Sequence, residues 1–73
     1  MPIIDEAHSK SDADSLVRYW SSQIRRYKLQ SVAGVKKVKS KVRGGGDEWD
    51  IVLELHVPRD SKAYKELQER FGF

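Results

Sequence analysis

The sequence predicts an α+β fold: a small single domain in the order helix–strand–strand–helix (αββα), with both helices packed on one face of an antiparallel hairpin. Three observations carry this reading. Apolar residues recur at helical spacing between Ala13 and Tyr27. Two runs flanking Gly44-Gly45-Gly46 alternate with the period of a strand. Pro58 closes the second run, and another helical pattern follows it. The 73 residues suit one domain. A chain of that size buries only about 60% of the surface it exposes when unfolded, so the expected core is thin.

Residues 1–10 read as a flexible leader, with Ile3 and Ile4 as a short strand-like pair, and residues 11–73 as the folded domain. Ser11 is the expected cap of the first helix, and Asp14 stands three residues later, where a capping-box acid sits. Leu16, Trp20, Ile24 and Tyr27 then fall at i, i+4, i+8 and i+11, flanked by Ala13 and Val17, which makes one apolar stripe. Arg18, Ser22 and Arg25 lie opposite the stripe, with Arg26 and Lys28 on its flanks. The pattern runs to about Gln30, and Ser31 to Gly34 break it.

The cover for that stripe is expected from two strands. In Val35 to Arg43 the alternation starts at Lys37: Lys37, Lys39, Lys41 and Arg43 point one way, Val38, Ser40 and Val42 the other. In Trp49 to Val57 the inward set is Trp49, Ile51, Leu53, Leu55 and Val57, and the outward set is Asp50, Val52, Glu54 and His56. Gly44 to Asp47 supply a compact connection. Placing Val42 on the face of Trp49 makes paired residue numbers sum to an odd value. The register that follows sets Lys41 against Asp50, Lys37 against Glu54 and Val38 against Leu53. Opposed charges of unlike sign favour it by roughly 0.2–1 kcal/mol each. After Pro58, Asp60 or Ser61 caps a second helix with Ala63, Tyr64, Leu67 and Phe71 on its apolar side and Gly72 as its stop. A two-stranded sheet is marginal alone, so pairing of edges in a homodimer is the expected way to extend it.

Charge is unevenly spread. Ser15 to Gly46 contain no acid, yet they carry Arg18, Arg25, Arg26, Lys28, Lys36, Lys37, Lys39, Lys41 and Arg43. The segments on either side are each net negative, so the whole chain is only +3. A dense basic segment attracts polyanions, because each cation that neutralises a phosphate releases a condensed counterion. These nine residues are the candidate nucleic-acid-binding site, for RNA or DNA, with Tyr19 placed to stack on a base. The alternative is an adaptor or inhibitor that docks on an acidic partner protein. A lysine row on a strand also has a plain use, keeping sheet edges from aggregating.

Other chemistries find little footing. Two histidines, His8 and His56, do not make a metal motif, and no Gly-x-Ser-x-Gly turn marks a nucleophile. The expectation is a non-enzymatic module without cofactor. The chain has no cysteine, which fits a reducing cytoplasm. No apolar run approaches the roughly 20 residues that span a bilayer, so no membrane role is expected. Asp5-Glu6-Ala7-His8 resembles the magnesium-binding string of DEAH-type helicases. That string acts only beside a Gly-rich loop ending in Gly-Lys-Ser/Thr, and the Gly cluster here is followed by Asp47 and Glu48, so no motor function is carried over. A helix followed by two strands also resembles the small dodecin-type oligomers. Those have a clear first strand and lack a C-terminal helix, so no flavin site is carried over.

Overall fold

A computed structural model describes residues 2–40, 46 and 48–73. The chain forms β1 (Ile3–Ala7), α1 (Lys10–Arg26), β2 (Ala33–Lys39), β3 (Trp49–Leu55) and α2 (Lys62–Phe71). The three strands make one antiparallel sheet in the order β1-β3-β2. The α+β class and the two helices are as the sequence predicts. The αββα order is not: a strand precedes the first helix, in residues read as a leader.

A bulge hides β1 from a periodicity reading. Ile3 opposes Val52 and Asp5 opposes Ile51, which leaves Ile4 as the extra residue. Ile4 packs into the core. Asp5, on the same side, accepts a 3.0 Å hydrogen bond from Trp20 Nε1. Two successive inward residues break the alternation that marks a strand. The pairing continues beyond the bulge, where the Leu53 N–H donates to Pro2 O at 2.9 Å.

The register between β2 and β3 also differs from expectation. Ala33 opposes Leu55, Val35 opposes Leu53, Lys37 opposes Ile51, Val38 opposes Asp50 and Lys39 opposes Trp49. Paired numbers sum to an even value, so the faces of β2 are exchanged relative to the prediction. Opposed residues share a face. Ala33, Val35, Lys37 and Lys39 therefore lie on the helix-bearing side, and Gly34, Lys36 and Val38 on the other. The apolar anchors that set the face are Ala33 and Val35, at the start of the strand. The expected Lys41–Asp50 pair and most of the Gly44–Asp47 connection lie outside the described residues. On β3 the inward set Trp49, Ile51, Leu53 and Leu55 is as read.

Ser9, not Ser11, caps α1: it is extended (φ −158°, ψ 160°) and its hydroxyl accepts from the Asp12 N–H at 3.0 Å. The C-terminus is tighter than predicted. Leu29 N–H donates to Ile24 O at 2.9 Å and Lys28 N–H to Arg25 O at 3.0 Å, the paired bonds of a Schellman motif. Leu29 and Ile24 then meet in the core. Lys28 occupies the left-handed position, φ +58°. In α2, Ser61 accepts from Tyr64 N–H at 3.1 Å, and Gly72 (φ +69°) closes the helix by donating to Gln68 O at 2.8 Å.

Ile24 of α1, Leu53 of β3 and Leu67 of α2 share one cluster with Leu29 and Ala33. Ala7, Ala13 and Ile51 form a second, closed by Leu16, Val17, Trp20 and Trp49. Trp20 and Phe71 join the helices, their ring centroids 5.6 Å apart. Leu67 is fully buried. Leu67→Ala is expected to lower the unfolding free energy by about 2–5 kcal/mol, through lost transfer energy and a residual cavity, as read from urea denaturation.

Candidate polyanion-binding surface

The nine predicted cations divide into four groups. Arg18, Arg25, Arg26 and Lys28 are exposed on or just beyond α1. Arg18 and Arg25 are seven residues apart and so share one flank of the helix. Arg25 and Arg26 lie in the last turn, where the helix dipole favours cations. Arg18 Nη2 reaches Ser15 Oγ at 3.4 Å, a long contact that leaves the guanidinium available.

Among the described members of the nine, Lys36 is the one on the helix-free side of the sheet, 3.3 Å from Glu54 Oε1. The sequence reading set Glu54 against Lys37; in the actual register Lys36 takes it, diagonally across the strand pair. Lys37 and Lys39 form the third group, on the opposite side. Lys37 is ion-paired and hydrogen-bonded to Asp14 of α1. Its ammonium lies 5.7 Å from the Trp49 ring centroid, and that of Lys39 lies 4.9 Å from the same ring. Lys39 Nζ also donates to Gly46 O at 3.0 Å. Lys41 and Arg43, the fourth group, lie outside the described residues.

The continuous basic strip read from the sequence is thus divided by the pleat of β2. The structure does bring α1 and β2 together on one side. β2 is an edge strand. A hollow between the two elements is lined by Ser21, Ile24, Arg25, Gln30, Ala33 and Gly34. Arg25 therefore overhangs the start of β2, and Asp14, farther back on the same helix, meets Lys37. The opposite edge, β1, carries Asp5 and Glu6. The sheet runs from an acidic margin to a basic one.

Three features of this surface were missed in the sequence. Trp49 was read as a core anchor, yet it also seats two ammonium groups. Arg70 stacks on the Tyr27 ring at 4.2 Å, which fixes a further cation beside the end of α1. The free margin of β2 depends on the strand order, which no local pattern reports. Tyr19 is exposed, as a stacking role requires, though its ring also makes an edge contact with Trp20 at 5.1 Å. His8 meets Glu48 at 2.9 Å, and among the described residues no group of three or more His, Cys, Asp or Glu side chains is placed to hold a metal. No described helix is long and apolar enough to cross a membrane. No family model, curated protein or solved structure matches the chain.

The Lys37 hydrogen bond holds the Asp14 carboxyl below its ordinary range; desolvation opposes this, and the charges of Lys37, Lys10 and Arg18 reinforce it. A depressed carboxylate contributes stability above its unfolded pKa and loses it as pH falls through the folded value. Asp14→Asn should therefore flatten the acid limb of a stability-against-pH curve below the ordinary carboxylate range, with little change in slope near neutrality. Lys28 gives a second test. A side chain in the left-handed region costs about 1–2 kcal/mol, and glycine removes that cost. Lys28→Gly is expected to raise the unfolding free energy by about 1 kcal/mol, measured by denaturant titration.

Proposed function

We propose that this chain is a non-enzymatic interaction module that docks on an acidic partner protein through the side where α1 and the β2 edge meet. The observation that carries this reading is the placement of Arg25 at the hollow beside a lysine-bearing edge strand, with Arg18 two turns back on the same flank of the helix. Arginine suits such contacts because its planar fork engages carboxylates in pairs. The patch lies against an open strand edge, whose alternating N–H and C=O groups a protein segment can match in full, whereas phosphate oxygens can only accept.

Nucleic acid is the competing ligand, and one observation favours it. The outward face of α1 carries Arg26, Lys28 and exposed Tyr19 in addition to the arginine flank. Against it, Lys36 and Lys37 already have carboxylate partners. A cation engaged by a carboxylate gains less from a phosphate and releases fewer counterions. A homodimer through like edges gains little support, since β2 paired with β2 opposes lysines and β1 is interrupted by its bulge.

A salt titration separates the two ligands. If only Arg18, Arg25, Arg26 and Lys28 meet phosphates, the slope of log K against log salt for single-stranded DNA is expected near −3, from about −0.7 per contact. The protein reading expects a glutamate-rich peptide to bind more tightly than that DNA at physiological salt. Tighter DNA binding, with a slope demanding more than four contacts, would overturn it.

A further inference from the structure

We propose that the edge of β2 takes an acidic, extended segment of the partner as a fourth, antiparallel strand; this rests on the docking reading above and specifies its chemistry. The bonding phase of β2 is fixed at both ends. Val32 O accepts from His56 N–H at 2.8 Å, and Ser40 N–H donates to Glu48 O at 3.0 Å. Even-numbered residues therefore bond to β3, and odd-numbered residues turn their backbone groups outward. Ala33 N–H is taken by Leu29 O at 3.0 Å. Val35 and Lys37 present both N–H and C=O to the open side, two residues apart, which is the repeat that a further strand matches.

Charge selects the occupant. Lys36 and Lys37 on this edge are engaged by Glu54 and Asp14, and the exposed guanidiniums of Arg18 and Arg25 on the adjoining helix flank carry the attraction for an acidic segment. A strand laid on β2 sends alternate side chains to its two faces. Those on one face approach the α1 flank, where Arg25 overhangs the hollow floored by Ile24 and Ala33. Those on the other approach Lys36. Carboxylates are favoured on the arginine side, since Lys36 is already engaged by Glu54. A second copy is disfavoured, because its β2 would bring lysine to lysine, and its β1 holds Asp5 inward on Trp20.

The test modifies the ligand, so the fold of the full chain is undisturbed. A fluorescein-labelled peptide alternating glutamate and threonine is titrated by anisotropy at low salt. Two further peptides carry N-methyl groups on alternate amides, one set on each edge of the extended peptide. The expected result has three parts: the parent peptide binds, Arg18→Ala/Arg25→Ala weakens it by about tenfold, and methylation of one edge abolishes binding while the other is tolerated. Slowed hydrogen exchange at the Val35 and Lys37 amides on binding marks the same strand. Binding that depends on the arginines but ignores methylation on both edges would overturn strand addition and leave the docking reading intact. No peptide binding at low salt, or exclusion of peptide by a self-associated β2 edge, would overturn both.

Discussion

Everything in this fold depends on the inward row of β3. Ile51 and Leu53 are fully buried, and each anchors one of the two core clusters. Among the described residues β3 is also the only strand with a neighbour on both sides. Its apolar row fixes which face the helices cover, and its backbone fixes the registers of β1 and β2. In a core this thin, burial on one strand must serve both helices at once. Ile24, Leu53 and Leu67 meet for that reason. The helix-free side is shielded by neighbours instead: Val52 and Asp50 are buried there between the side chains of the flanking strands.

That constraint explains why two lysines sit on the helix-bearing side of the sheet. Once Ala33 and Val35 pack inward against Leu55 and Leu53, the pleat leaves Lys37 and Lys39 on the same side. Charges there need partners, and the fold places them: Asp14 reaches Lys37 from the first half of α1, and the Trp49 ring lies beneath both ammoniums. Their aliphatic stems extend the apolar surface while the charged ends stay near water. Asp14, read from the sequence as a helix-capping acid, is freed for this because Ser9 and Asp12 make the cap.

Long-period features were legible and single-residue phase was not. The stripe from Ala13 to Tyr27 and the inward row of Trp49 to Leu55 repeat often enough to survive a local exception. Ser61 and Gly72 were readable because caps are set by neighbouring residues alone. The phase of β2 rested on weighing Val38 and Val42 against Ala33 and Val35, and a strand's face flips with a single step. The deciding partner, Asp14, lies 23 residues away and carries no local mark. β1 was obscured by its acids and by the bulge that turns Ile4 and Asp5 the same way. The candidate surface was legible as composition. Its division between faces was not, because that follows from phase.

The same phase makes the two margins of the sheet unlike. With β3 central, the edges are β1, carrying Asp5 and Glu6, and β2, carrying Lys36, Lys37 and Lys39. β1 is interrupted by its bulge, while the pairing of β2 with β3 is regular over Ala33–Lys39. A strand that only needed to avoid aggregation would be served by lysines and a short length. β2 adds an arginine flank and a hollow alongside its open backbone.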